Sequence, residues 1–213
     1  MLMDIYKRLY TRFGAQGWWP GHTRFEIIIG AILTQNTNWT NVEKAITNLR
    51  AANCLDSKTL YQINLEKLAE LIRPAGYYNL KAKRLKNFVD WLYENFNGDA
   101  DDPARMSTAE LREQLLTVKG IGRETADSIL LYAFNKTAFV VDAYTARIVV
   151  RHRLIDADAD YEQLKEFFEN NLPCDVRLFN EFHALLVRLG KEYCRTRPRC
   201  TGCPLQNLPH DTD

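Results

Sequence analysis

The segment 118–123, together with Asp142 downstream, combines two features that could do chemistry. Gly120 and Gly122 allow a tight turn in which bare backbone N–H groups can approach an oxyanion. Arg123 then begins a predicted helix, whose N-terminus favours negative charge. Asp142 lies twenty residues after Gly122, behind a short apolar run. Its carboxylate could stabilise positive charge or activate a nucleophile beside the bound anion.

Apolar residues at helical spacing surround the two glycines, so the unit is predicted to be helix, hairpin, helix. A dinucleotide-binding fold would need a strand entering the glycines, and a P-loop would need Gly-Lys-Ser/Thr; the sequence has neither. The apolar positions are Leu111, Leu115 and Leu116 before the hairpin and Ala126, Ile129, Leu130 and Ala133 after it.

Similar helical stripes recur along most of the chain, separated by Pro and Gly, which predicts an all-α protein. The segment from Leu85 to Phe96 has the clearest stripe. The predicted helices are Phe25–Leu33, Asn41–Leu49, Leu65–Ile72, Leu80–Phe96, Thr108–Leu116, Arg123–Phe134, Ala143–Leu154, Tyr161–Asn170 and Asp175–Glu192.

The composition is that of a compact enzyme with one sizeable core or two small lobes, since 46% of its 213 residues are hydrophobic and 26% are charged. The net charge of +1 does not by itself indicate nucleic-acid binding. Basic residues do cluster locally, and such clusters can either hold phosphates or form a solvated helix face. They are Lys81, Lys83, Arg84 and Lys86, and separately Lys119 and Arg123.

No apolar run reaches the ~20 residues needed to cross a membrane, and the first residues lack a secretory apolar region. We therefore expect a cytoplasmic protein without a membrane partner. Five cysteines, three of them between positions 194 and 203, fit a metal site in a reducing compartment better than a disulfide framework. Cys54 and Cys174 are expected to be ordinary buried thiols.

The run Leu116–Ala126 with Asp142 resembles the helix-hairpin-helix and catalytic aspartate of the endonuclease III superfamily of DNA glycosylases. The likeness extends upstream to Ala31–Thr37 and Gly76–Lys83. Downstream it reaches the C-terminal cysteines, so it covers almost the whole chain in the expected order.

This resemblance implies two helical lobes with a substrate cleft between them: residues 22–135 with the hairpin, and residues 1–21 together with 136–213. The expected partner is double-stranded DNA containing a damaged base, bound by a monomer. An enzyme that acts on such a base must rotate its nucleotide out of the stack, which requires a backbone grip, a wedge and a pocket.

Individual roles follow from the same resemblance. The hairpin would grip DNA through Lys119, Gly120, Ile121, Gly122 and Arg123. Gln35 matches the family's intercalating glutamine, and a capping or buried amide is the alternative. Asp142 matches the catalytic aspartate, and its position before a helix also suits an N-cap.

Glu124 departs from the family pattern. Bifunctional relatives carry a lysine at this position, and its amine forms the Schiff base that leads to strand cleavage. A carboxylate forms no imine, so strand cleavage by a residue at position 124 is excluded. Lys119 is expected to bind phosphate, although its reach to the sugar stays open.

Trp18, Trp19 and Trp39 resemble the stacking residues of the 3-methyladenine DNA glycosylase III branch, which also lacks the lysine. Alkylated purines are positively charged, and indole faces attract them by stacking and cation–π contact. Packing in a lobe interface is the alternative for each tryptophan.

Cys194, Cys200 and Cys203 resemble the family's iron–sulfur loop, but Pro209 stands where the fourth cysteine is expected. His210 follows it and could complete the set. A 4Fe-4S cluster, zinc or no metal are all compatible with these residues.

The expected function is thus that of a monofunctional DNA N-glycosylase of base excision repair, which removes an alkylated purine such as 3-methyladenine. One alternative is an endonuclease III-like glycosylase and lyase for oxidised pyrimidines. The other is a non-catalytic DNA-binding protein that uses the hairpin, against which Asp142 argues.

Overall fold

The computed structural model describes residues 1–19 and 21–211, and this part of the chain is helical, without a β-strand. The predicted all-α class is confirmed. Eleven α-helices lie in the described part of the chain: α1 Leu2–Phe13, α2 Arg24–Leu33, α3 Trp39–Ala51, α4 Ser57–Gln62, α5 Leu65–Leu71, α6 Tyr78–Phe96, α7 Thr108–Thr117, α8 Arg123–Ser128, α9 Ala143–Arg151, α10 Tyr161–Asn171 and α11 Val176–Glu192.

Side-chain caps explain where most of these helices begin. A short polar side chain at the N-cap accepts a hydrogen bond from the third backbone N–H of the helix, which would otherwise lack a partner. The caps of α7 and α10 are full capping boxes with a reciprocal side chain at the third position. The capping residues are Thr23, Asn38, Asp56, Asn64, Ser107, Asp142, Asp160 and Asp175.

The chain divides into two compact units. The first comprises Met1–Trp19 and Lys136–Asp213, and the second comprises Pro20–Asn135. The core of the first unit is rich in phenylalanine: Phe139 stacks on Phe168 with ring centroids 4.0 Å apart, and Phe182 meets both edge-on. The core of the second unit is built on α2, whose residues from Phe25 to Leu33 are buried except Ile27.

Three features of the fold differ from the sequence predictions. The helices α1 and α4 were not predicted, although Leu2, Ile5 and Leu9 of α1 have helical spacing and are buried. The predicted helix Arg123–Phe134 is α-helical only to Ser128 and continues as a buried π-helix, Ile129–Ala133. Cys174 is exposed, so its prediction as a buried thiol is wrong, whereas Cys54 is buried.

None of the helices in the described residues combines the length and the apolar character that crossing a bilayer requires.

Candidate functional site

The predicted helix-hairpin-helix is present in the second unit. After α7 ends at Thr117, the Ile121 amide donates to the Val118 carbonyl at 3.0 Å and closes the turn. Gly120 has a φ of +99°, which side chains rarely adopt, whereas Gly122 is extended and precedes α8. The side chain of Ile121 is buried beneath the turn, while Lys119, Gly120, Gly122 and Arg123 are exposed. The hairpin thus presents backbone and two cations to solvent.

Gln35 lies against this hairpin, on the loop that follows α2. Its Nε2 donates to the Gly120 carbonyl at 3.0 Å and to Thr125 Oγ1 at 2.9 Å. Its Oε1 accepts a hydrogen bond from Arg84. The structure therefore places Gln35 at the predicted DNA-contacting segment, and its role as an intercalating wedge stays a prediction.

The basic group on α6 is mostly structural, so neither a phosphate-binding patch nor a solvated helix face, the two alternatives left open by the sequence, describes the group as a whole. Lys81 is 1% exposed, donates to the Ala75 carbonyl at 2.7 Å, and has its pKa lowered to about 8 by burial and by Arg84. Lys86 donates to three carbonyls around the end of α4, from Leu60, Tyr61 and Ile63. Lys83 is the one exposed member of the group within the described residues. Helical spacing could not reveal this, because the carbonyl partners of Lys81 and Lys86 lie outside α6.

Asp142 lies in the first unit, where it caps α9. Its Oδ1 accepts from the Thr145 backbone N–H at 2.7 Å, and its side chain is 15% exposed. The cap holds one carboxylate oxygen against the helix terminus. The carboxylate consequently has a fixed orientation and a second oxygen, Oδ2, that is not used by the cap.

His183 of α11 is an ionisable neighbour of that carboxylate. Its Nε2 lies 3.8 Å from Asp142 Oδ2, and the residue is 5% exposed. Burial lowers the pKa of His183, and the negative charge of Asp142 raises it to a lesser extent. His183 is therefore neutral near pH 7, where it packs beside the carboxylate without neutralising it.

The three tryptophans belong to different units. Trp18 and Trp19 are half-buried at the end of the N-terminal part of the first unit, and their rings are perpendicular with centroids 5.6 Å apart. Trp39 is half-buried at the first position of α3 in the second unit. Glu124 is exposed in the first turn of α8.

The three C-terminal cysteines line one pocket, which His152 and His210 also line. Cys194 and Cys203 are buried. Arg151 donates to the Cys194 sulfur at 3.2 Å. No group of three or more His, Cys, Asp or Glu side chains within the described residues has the arrangement of a metal-ion site.

The tautomers of the two histidines follow from their hydrogen bonds. His210 Nδ1 lies 2.7 Å from the Leu208 carbonyl, and His152 Nδ1 lies 3.0 Å from the Pro209 carbonyl. Because a carbonyl only accepts, each Nδ1 carries the proton in the neutral ring. The lone pair is then on Nε2, the usual state of a ligating histidine whose other nitrogen is held by the backbone.

Sequence reasoning missed several residues of these sites. Asn87 donates to the Lys119 carbonyl at 2.8 Å, and Arg151 and His152 contact the cysteine loop. His183 was also missed. The one sequence signal for His183 is that it lies in the apolar run from Phe182 to Leu185. A histidine in such a run is ordinarily a core residue, so this signal does not indicate a functional site.

Comparison with known proteins gives a consistent result. A model of the HhH-GPD superfamily of base excision DNA repair proteins matches residues 29–174. A protein of Methanocaldococcus jannaschii named as a candidate DNA repair glycosylase is 49% identical over 210 residues, which cover 98% of this chain and 95% of the relative.

Solved structures agree with this match. The 3-methyladenine DNA glycosylase MagIII of H. pylori, determined with bound 1,N6-ethenoadenine, is 32% identical; the alignment has a TM-score of 0.77 and covers 90% of this chain and 97% of that one. A non-covalent complex of endonuclease III with DNA aligns with a TM-score of 0.83 over 98% of this chain and 95% of that chain, at 22% identity, and so shares the fold.

Proposed function

Because this chain belongs to the HhH-GPD superfamily of base excision DNA repair proteins and is a DNA glycosylase, we propose that it removes alkylated purines and leaves the DNA strand intact. The proposal that the strand stays intact rests on Glu124. It occupies the position two residues after Gly122, on the exposed first turn of α8, where the resemblance places the nucleophilic lysine of bifunctional enzymes. Without an amine there, no imine to the sugar forms from this residue.

Hydrolysis instead requires a carboxylate and a water. Breaking the N-glycosidic bond builds positive charge on the sugar, and a carboxylate held in place stabilises that charge or accepts the proton of the attacking water. Asp142 supports this role because the Thr145 N–H fixes one of its oxygens at 2.7 Å. The neutral His183 beside it leaves its negative charge intact.

The tryptophans support an alkylated purine as the base. Such bases are cationic, and an indole face attracts them by about 0.5–2 kcal/mol more than it would a neutral ring. They are also good leaving groups, so a single carboxylate suffices for their departure. The H. pylori 3-methyladenine DNA glycosylase with bound 1,N6-ethenoadenine, at 32% identity, is consistent with a purine pocket.

The cysteine loop supports an iron–sulfur cluster with an incomplete cysteine set. Cys194, Cys200 and Cys203 would supply thiolates, and His210 would supply a nitrogen where the fourth cysteine is missing. The donor types fit, since the three cysteines and His210 line one pocket, but the side chains of the described residues do not have the arrangement of a metal-ion site. A bound cluster would cross-link this loop.

An assay of lesion-bearing duplexes tests the activity and its mode together. We expect 3-methyladenine to be released faster than thymine glycol, and the abasic strand to be cut only after alkali treatment. Borohydride should trap no covalent complex. Trp39→Ala should lower kcat/KM for 3-methyladenine about ten- to a hundredfold through lost stacking, and the control Trp39→Phe should retain most of the activity.

Two results would contradict the proposal. Efficient borohydride trapping would show that another amine forms the imine, and Lys119→Ala would then test the exposed lysine of the hairpin. A preference for thymine glycol that Trp39→Ala leaves unchanged would place the enzyme with glycosylases of oxidised pyrimidines.

A further inference from the structure

Two backbone carbonyl groups of the hairpin accept hydrogen bonds from side-chain amides outside the hairpin. Asn87 Nδ2, on α6, donates to the Lys119 carbonyl at 2.8 Å. Gln35 Nε2 donates to the next carbonyl, that of Gly120, at 3.0 Å. Arg84, also on α6, donates to Gln35 Oε1. We call Gln35, Arg84 and Asn87 the hairpin brace.

The hydrogen-bonding groups of Gln35 are almost fully used in this arrangement. Its two N–H groups bind the Gly120 carbonyl and Thr125 Oγ1, and its oxygen accepts from Arg84. Thr125 is buried on α8, so Gln35 connects the turn to the helix that follows it. Insertion into a DNA stack would require all three hydrogen bonds to break.

The brace determines which way the hairpin peptides face. In a trans peptide the C=O and the following N–H point in opposite directions. Because Asn87 holds the Lys119 carbonyl, the Gly120 N–H is directed away from α6, on a residue that is exposed. Because Gln35 holds the Gly120 carbonyl, the Ile121 N–H is directed to Val118, whose carbonyl it reaches at 3.0 Å.

Arg84 also packs directly on Gly120. A Cβ at position 120 would lie 2.5 Å from Arg84 Cγ, well inside contact distance. The aliphatic part of Arg84 therefore occupies the space beside the turn, while its guanidinium orients the Gln35 amide. Both contacts hold the same peptide, 120–121, in one orientation.

From these contacts we propose that Gln35, Arg84 and Asn87 are positioning residues that aim the Gly120 amide at a DNA phosphate, and that Gln35 acts in this brace and not as a wedge. The inference rests on the proposed function only in that the enzyme binds DNA, and it takes up the expectation that the hairpin contacts the DNA backbone. Its consequence is that loss of the brace weakens binding to any duplex, damaged or undamaged, without changing the chemical step.

Two measurements separate a brace from a wedge. The first is the affinity for an undamaged duplex, and the second is the single-turnover rate of 3-methyladenine release at saturating enzyme. We expect Gln35→Met and Asn87→Ala each to weaken the affinity about tenfold, the size of one lost hydrogen bond to a charged group. The rate at saturation should stay within about twofold of wild type.

Asn95→Ala is the matched control. Asn95 lies on the same helix, and its Nδ2 donates to the Trp91 carbonyl at 2.8 Å within that helix, away from the hairpin. Its removal should change neither measurement. Thermal unfolding of each variant shows whether the fold is kept. If Gln35→Met unfolds, Gln35→Glu serves instead, since it keeps the shape and the Arg84 contact but loses both donors.

The opposite pattern would overturn the proposal. A wedge acts only once the stack is open, so Gln35→Met would then leave the undamaged-duplex affinity unchanged and lower the single-turnover rate. Asn87→Ala with wild-type affinity would likewise refute the brace. If the wild-type enzyme releases no 3-methyladenine, the proposed substrate fails, while the affinity comparison on undamaged duplex still decides the role of the brace.

Discussion

At the scale of single residues, the carboxylate of Asp142 combines a structural role with the proposed catalytic one. Its Oδ1 caps α9 through the Thr145 N–H, and its Oδ2 faces His183 at 3.8 Å. The cap gives the side chain a fixed rotamer, which a catalytic group needs. The structural role of the residue thereby supports the proposed chemical one.

Asp142→Asn should separate these functions. Asparagine caps a helix about as well as aspartate does, so stability should change by less than about 1 kcal/mol. The charge is lost, so base release should fall at least about a hundredfold, while duplex affinity should be retained. Single-turnover kinetics and duplex titration check this, with Asp142→Ala as the variant that loses both cap and charge. Near-normal turnover of Asp142→Asn would refute the catalytic assignment.

His183 should make the stability of the enzyme sensitive to acid. Burial lowers its pKa, so between that value and the unfolded value of about 6.5 the unfolded chain binds more protons than the folded protein. The contribution of His183 to the free energy of unfolding is therefore fully present above this pH window and is lost as the pH falls through it. Asp142, the facing carboxylate, reduces the shift but does not reverse it.

Thermal unfolding can test this dependence. Lowering the pH from about 7.5 to about 5.5 should decrease the Tm of the wild type more than that of His183→Gln. The buried His152, whose pKa burial also lowers, should keep part of the dependence in the variant. His22→Gln is the control because His22 is exposed. Equal decreases in all three proteins would contradict this prediction.

At the scale of elements, the hairpin depends on tertiary partners as well as on its own residues. Arg112 of α7 forms a bidentate pair with the buried Asp127 of α8, at 2.8 and 3.1 Å, and so joins the two helices around the turn. The brace from α6 then orients the peptides of the turn. The two helices and the turn are thus held independently of DNA.

The two glycines of the hairpin should respond differently to substitution. Gly120→Ala should cost about 1–3 kcal/mol of stability because of its positive φ and the clash with Arg84. Gly122 is extended, and a Cβ there would meet no atom within 4 Å. Gly122→Ala should change stability by less than about 1 kcal/mol yet weaken duplex binding, because the methyl group occupies space that the DNA backbone needs.

Denaturant unfolding and duplex titration of both glycine variants measure these effects. Equal destabilisation by the two substitutions would contradict the difference that the structure indicates. Full duplex affinity of Gly122→Ala would show that DNA does not approach the hairpin at this residue.

At the scale of the whole molecule, α9 connects the two segments of the first unit that carry the proposed catalytic residue and the proposed cluster. Asp142 caps its first turn, and Arg151 at its last residue holds the cysteine loop by donating to Cys194 Sγ and to the Arg195 carbonyl. Arg147 on the same helix donates to the Cys194 carbonyl at 2.8 Å. A cluster that orders the loop would therefore also stabilise the helix that carries Asp142.

Metal analysis tests the cluster directly. Protein purified without oxygen should be brown and contain about four iron atoms and four acid-labile sulfides per chain. Cys200→Ser and His210→Ala should lower the iron content, whereas His210→Cys should retain it. Cys174→Ser is the control, because it changes an exposed thiol outside the loop and should not affect the iron content. Zinc in place of iron would change the identity of the metal. The absence of both iron and zinc would show that the loop has lost its metal site.

The sequence by itself determined the helical class, the hairpin and most helix boundaries. These features depend on residues close in the chain: apolar side chains every three to four positions, caps such as Asp142, and glycines at the turn. The family resemblance rests on the same local motifs. Such patterns say which segments are helical, but not which polar atoms meet across them.

Only the tertiary structure decided the partners of the polar side chains. Asn87 meets the Lys119 carbonyl, 32 positions away, and Gln35 meets that of Gly120, 85 positions away. Lys81 belongs to a basic cluster in the sequence, but its side chain is buried and donates to a backbone carbonyl. The physical reason is that buried donors and acceptors must be paired, and their pairing depends on how the helices pack, which helical periodicity does not encode.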